Sequence, residues 1–234
     1  MMLLVGHLNL LDCLLVAVLC LIIPFRQLRD SLRLARSCPP RSLAIRAQAN
    51  FGMLGVPLVL LALDWWISGR SAAALGLALP IAWRGEIGLA IALLLSGGFM
   101  IASLRPTDKT SREVALKRFE DAGLLVKNPS EITIFVPLAF LIGCGGEVLF
   151  RGFLFWAFLP FLGTVGTVAV MTLAYGLGHG FGDWRAALGS LVSAFLFAVA
   201  FALTQSLWWL MIFHTFTGLN AAWTGYRLSH HAAP

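Results

Sequence analysis

Gly145-Gly146-Glu147-Val148-Leu149-Phe150-Arg151-Gly152-Phe153 sets a carboxylate and a guanidinium four residues apart inside a long apolar segment. On a helix that spacing puts both groups on one face, within ion-pair reach. Charges inside membrane spans are rare, turn toward the protein interior and mark functional sites. An architectural reading competes: Glu147 and Arg151 neutralise each other and join two helices, and a buried ion pair by itself argues weakly for either stability or chemistry. The residues further along the chain weigh between the two.

Of the 234 residues, 59% are hydrophobic and only 12% are charged. Mean hydropathy is +0.86. A soluble domain cannot hide that much apolar surface, whereas a bundle of membrane helices has no need to. At roughly 20 residues per span the chain accommodates about seven. The expected fold class is therefore all-α: a polytopic helical membrane protein of about seven transmembrane helices, six to eight, without a separate soluble domain. The net charge of +6 falls mainly in two loops, which argues membrane orientation and not nucleic-acid binding. Cys13, Cys20, Cys38 and Cys144 show no CxxC spacing and read as small hydrophobes.

No Lys or Arg precedes Arg26, so the basic start of a cleaved signal peptide is missing. A first span is expected from about Leu8 to Pro24. The basic run Arg26, Arg29, Arg33, Arg36, Arg41 and Arg46 then reads as a cytoplasmic, head-group-binding interfacial stretch. The second span, Phe51 to Ile67, ends in Asp64-Trp65-Trp66, an interface signature, and Ser68 to Pro80 reads as a short external stretch. A third span covers Trp83 to Leu104. Arg105 to Glu131 reads as a cytoplasmic loop with one amphipathic helix. Spans four to seven are expected near Ile132–Phe158, Thr164–Phe181, Ala186–Leu203 and Trp208–Tyr226. The tight turn at Leu159-Pro160 and Gly163 separates the fourth from the fifth. Trp65, Trp66, Trp83, Trp156, Trp208 and Trp209 fall at outer ends, Trp184 and Trp223 at inner ones. This alternation places the N-terminus outside and the C-terminus in the cytoplasm of a bacterial-type plasma membrane.

Apart from Asp64, four strongly polar groups are read within spans: Glu147, Arg151, His179 and His214. A lone His on an apolar helix is usually a satisfied core residue. Two of them together with an ion pair, on three helices, are harder to dismiss. Charged types at the centre of a span cost roughly 2.5–3.5 kcal/mol each, so the groups are expected to converge on one polar cavity. Such a cluster can activate water: a Glu or His removes the proton while a His or Asn donates to the developing oxyanion. That is the chemistry of peptide-bond hydrolysis. Helical rise counted from the tryptophans puts Glu147 and His214 roughly 13 and 8 Å below the outer interface and His179 roughly 20 Å below it, a spread no single water bridges.

Glu147-Val-Leu-Phe-Arg151-Gly152, Tyr175-Gly-Leu-Gly-His179 and His214, in this order, resemble the three motifs of the CPBP intramembrane proteases, the CAAX-processing type II endopeptidases and their bacteriocin-processing, Abi-like relatives. The family patterns are Glu-Glu-x-x-x-Arg, Phe-x-x-x-His and His-x-x-x-Asn/Asp, and the resemblance covers about Glu131 to Arg227. It implies an intramembrane endopeptidase acting on membrane-associated proteins or peptides through Glu147, Arg151, His179 and His214, with Tyr175 and Asn220 in support. The chain departs from the pattern in two places and, at Tyr175, by a mild change. Gly146 stands where the family has its water-activating Glu, Gly218 stands where it has Asn or Asp, and Tyr175 replaces a usual Phe. Asn220 lies six residues after His214, roughly 120° from the expected direction around a helix.

The implied organisation is 1–130 for N-terminal helices and basic loops, 131–227 for the catalytic-type core, and 228–234 for a short tail. No cofactor is required. A divalent metal held by Glu147, His179 and His214 is conceivable chemically, but HExxH is missing and the three come from separate helices. The alternative to a protease is a member that has lost hydrolysis and serves as an immunity, binding or scaffold protein in the bilayer.

Overall fold

The computed structural model describes residues 7–34, 43–105, 108–121, 125–126, 128–179 and 184–230. Arg36, Cys38 and Arg41 of the basic stretch, residues 180–183 and the tail beyond His230 lie outside them. Among the described residues the regular structure is helical throughout. The helices are α1 (Leu10–Leu32), α2 (Leu43–Ile67), α3 (Trp83–Ser103), the amphipathic α4 (Lys109–Asp121), a continuous run Pro129–Gly178, α7 (Trp184–Thr204) and α8 (Trp208–His230). The long run reverses at Gly163, whose φ of 61° and ψ of −177° are open to glycine and costly for other residues. It is therefore two helices, α5 (129–162) and α6 (164–178).

α1, α2, α3, the α5–α6 run and α7 are each long and apolar enough to cross a membrane. Their outward faces carry exposed Leu21, Leu94, Val165, Leu196 and Leu203, a surface suited to lipid and not to water. The chain is an all-α integral membrane protein. α8 is not among those five apolar rods, because Thr215, Thr217, Asn220 and Thr224 dilute it. With the run divided at Gly163 and α8 included, the rods match the seven expected spans.

The helix ends differ from expectation in ways that have physical causes. α1 continues past Pro24 through Arg26 and Arg29, so these arginines form polar last turns of one helix and not a separate interfacial one. Pro24 cannot donate to the carbonyl of Cys20, nor Pro57 to that of Met53, and the proline ring crowds that carbonyl. In both places the backbone widens into a π-helical turn, at Val18–Ile22 and Phe51–Gly55. α5 runs straight through Pro160 to residue 162, four residues beyond the expected end of the fourth span.

The stretch after α2 is not simply an external loop. Its 3₁₀ turn, Ala72–Leu75, enters the bundle, with Leu75 only 5% exposed. A Cβ on Gly152 would lie 2.7 Å from the Leu75 carbonyl, so only glycine admits this approach. Leu207 N donates to Gly76 O at 2.9 Å and Trp208 Nε1 to Ala78 O at 3.1 Å, tying the loop to the start of α8.

Asp64 is buried in a polar cluster. Arg70 donates from both Nη atoms to Asp12 at 2.8 Å and from Nη1 to Asp64 at 2.9 Å, while Asn9 Nδ2 donates to Asp64 at 2.7 Å. Asp12 is completely buried on α1, a further charged group within a span that the sequence reading passed over. Asn9 and Asp12 also form the capping box that starts α1. The Asp12 hydrogen bond, against a partial burial cost, holds the Arg70 guanidinium protonated beyond its ordinary range. Arg70 lies 4.6 Å from the Trp156 ring centroid and 5.1 Å from that of Trp65. Trp65 and Trp209 are accordingly core residues, 6% and 9% exposed, and not interface anchors. The cluster fixes α1 and α2 against the Trp156 end of α5.

Candidate active site

Glu147 sits between two π-helical segments of α5, Leu141–Gly145 and Val148–Phe153. Such widened turns concentrate at functional sites because they redirect side chains. Gly143 lets α8 come close: a Cβ there would fall 2.7 Å from Thr215 Cα. That approach brings His214 to Glu147. The Nδ1 of His214 lies 2.7 Å from Glu147 Oε1. Glu147 is fully buried, and the His214 side chain is 17% exposed.

Arg151 is fully buried as well. Its Nη1 stands 3.4 Å from Glu147 Oε1, an ion pair by distance. No hydrogen bond reaches its Nε, Nη1 or Nη2, nor Glu147 Oε2. The guanidinium instead stacks on Tyr175, its Cζ 3.5 Å from the ring centroid, with Phe197 at 5.6 Å.

Tyr175 is the hub of the site. Its hydroxyl lies 3.2 Å from His214 Nε2 and 3.5 Å from Nδ1. Its ring meets Phe150 at 5.3 Å and His179 at 4.3 Å, both edge-on. His179 Nδ1 faces the Tyr175 carbonyl at 3.2 Å. The tautomers follow from these partners. His179 donates from Nδ1 and keeps the lone pair on Nε2, at an exposed position. His214 donates from Nδ1 to Glu147 and accepts on Nε2.

The depth conflict anticipated from the sequence disappears. Glu147 lies sixteen residues before Gly163 and His179 sixteen after it; Arg151 and Tyr175 lie twelve on either side. In a hairpin of two straight helices such pairs stand at the same level, roughly 24 and 18 Å from the turn. The tryptophan count failed because α5 extends beyond Trp156 and places the turn, not the tryptophan, at the end of the hairpin.

The structure thus gathers Glu147, Arg151, Tyr175 and His214 into one contact network and sets His179 beside it through the Tyr175 ring. It does not bring in Asn220, whose carbonyl accepts from Thr224 Oγ1 and whose side chain has no hydrogen bond to the site. Phe197 belongs to the site and was not singled out from the sequence. Its ring lies 6.0 Å from that of His214, and nothing distinguishes it among the phenylalanines of α7 until the helices are packed. Among the described residues no three His, Cys, Asp or Glu side chains stand close enough to hold a metal ion. Tyr175 stands between the two histidines, its ring 4.3 Å from that of His179 and 6.1 Å from that of His214.

Beside Glu147, a Cβ on Gly146 would meet nothing within 4 Å. A Cβ on Gly218 would make an ordinary contact with Ala139 at 3.6 Å. Both glycines therefore sit where a side chain is sterically admissible.

The region of these contacts is also the region of family similarity. Residues 128–219 match the family model of type II CAAX prenyl endopeptidases, Rce1-like. This Rce1-like segment contains Glu147, Arg151, Tyr175, His179, Phe197 and His214, and it bears out the resemblance carried by the three motifs. The matched family is one of proteases. No curated protein and no solved structure matches the chain.

Proposed function

We propose that the protein is an intramembrane endopeptidase that hydrolyses peptide bonds of membrane-associated proteins or peptides by activating water. The observation that carries this reading is the 2.7 Å bond between Glu147 Oε1 and His214 Nδ1. It orients a buried carboxylate whose second oxygen has no hydrogen bond, beside the space at Gly146. Glu147 Oε2 takes the proton of the attacking water, with the open Nε2 of His179 as the second acceptor at the same level. Arg151 places its positive charge 3.4 Å from Glu147 Oε1 and holds the Tyr175 ring by stacking. His214 holds the Glu147 carboxylate in position through its Nδ1. The protein works in a bacterial-type plasma membrane with its N-terminus outside and its C-terminus in the cytoplasm.

A second reading rests on Gly146 itself. The resemblance places the family's water-activating carboxylate at this position, and its loss is what a binding or immunity protein on the same scaffold would show. The experiment that separates the two uses purified protein in liposomes with a library of membrane-anchored peptides, read by mass spectrometry. Wild type is compared with His179→Ala and Gly146→Glu. Cleavage by wild type and its loss in His179→Ala supports the protease. An inert wild type beside an active Gly146→Glu supports the degenerate member, and cleavage at equal rates in wild type and His179→Ala removes His179 from the mechanism.

A further inference from the structure

The hydroxyl of Tyr175 is not needed for packing. The stack on Arg151, the edge contacts with Phe150 and His179, and 93% burial would all be met by a phenylalanine ring. What the oxygen adds is its contact with the His214 imidazole, 3.2 Å to Nε2 and 3.5 Å to Nδ1. Because the Nδ1 of the same imidazole is held by Glu147 at 2.7 Å, the three side chains form a continuous chain: carboxylate, imidazole, phenol. In proteins such a chain polarises its terminal group and fixes its direction. The terminal group here is an O–H donor within a cluster that contains the unbonded Glu147 Oε2.

We propose that Tyr175 is a catalytic residue of this site, its hydroxyl donating to the oxyanion formed as water adds to the scissile carbonyl, with Glu147 and His214 holding it in place. The inference rests on the protease reading. Water oxygen bonds to the carbonyl carbon as Glu147 Oε2 takes one water proton and the C=O π pair moves to oxygen. That oxyanion accepts the Tyr175 hydrogen bond. On collapse the C–N bond breaks and the proton on Glu147 passes to the leaving nitrogen, giving a carboxylic acid and an amine. The tyrosine proton is shared and not consumed. The hydroxyl turns from His214 Nε2 toward the oxyanion.

The test is Tyr175→Phe, which removes one oxygen and keeps the ring. In the liposome assay kcat is expected to fall by roughly 10²–10³-fold, the cost of losing one oxyanion donor. KM should stay within about twofold, because the ground state gains little from that contact. The thermal midpoint in detergent serves as a fold control. A second readout does not depend on turnover: in protein labelled with ¹⁵N-histidine, the His214 Nε2 resonance should shift in Tyr175→Phe while its Nδ1–H tautomer persists. Wild-type kcat in Tyr175→Phe overturns the proposal. An unshifted Nε2 resonance overturns the chain of bonds on which it stands. A wild type inert on every peptide overturns the protease reading, and the catalytic role with it, whereas the nitrogen spectrum still reports the tyrosine–histidine bond.

Discussion

Arg151 and Tyr175 lie face to face, the guanidinium carbon 3.5 Å from the ring centroid, twelve residues on either side of the Gly163 turn. The hairpin sets this pair at one level, and the stack substitutes for hydrogen bonds that the buried guanidinium nitrogens lack. The same pairing carries Tyr175 under His214 and so links three helices through one ring.

Removing the cation should expose how much the site depends on it. Arg151→Ala leaves Glu147 buried without its counter-charge, and breaking a buried pair in this way costs about 3–5 kcal/mol. Denaturant unfolding in micelles should show a loss of that size. Arg151→Lys should recover only part of it, because an ammonium lacks the flat face that lies on Tyr175.

The Arg70 cluster offers an independent test of architecture. Arg70→Met removes the donor shared by Asp12 and Asp64 and leaves two buried carboxylates with too few partners. The expected loss is about 3 kcal/mol or more. Asp12→Asn combined with Asp64→Asn in the same background should restore part of the lost midpoint. If Arg70→Met unfolds at the wild-type midpoint, the cluster does not hold α1 and α2 in place.

Two glycines four residues or fewer from Glu147 should respond in opposite senses. Gly143→Ala puts a methyl into the Thr215 backbone, an overpacking that costs about 1–3 kcal/mol, and it pushes His214 away from Glu147. Gly146→Ala meets open space and should gain up to about 1 kcal/mol from helix propensity. Comparing the two thermal midpoints in one detergent checks the close approach of α5 and α8 directly.

His179→Ala should leave the fold intact, since the side chain is exposed and bonds only to the carbonyl one turn back. Cleavage should fall by roughly 10²–10⁴-fold, the range for a lost acid–base group. An unchanged midpoint with unchanged turnover would remove His179 from the chemistry.

The sequence by itself determined the class of protein and most of its ingredients. Apolar content in excess of any soluble core forces helices that satisfy their own backbone bonds in lipid, and charges inside such helices point to a site. The order Glu147, Arg151, His179 and His214 along the chain was enough for the family resemblance. Contacts between helices were not legible, because they depend on how rods are rotated and how closely they approach. The partners of Asp64 were not legible, because Asn9 and Asp12 stand at the start of α1 and Arg70 in the loop after α2. Tyr175 read as a mild replacement for phenylalanine because spacing on its own helix says nothing of an imidazole on α8. Only the tertiary structure decided those pairings: glycine at 143 and 152 allows backbones to meet, π-helical turns re-aim Glu147 and Arg151, and the reversal at Gly163 sets the level at which the two arms of the hairpin face each other.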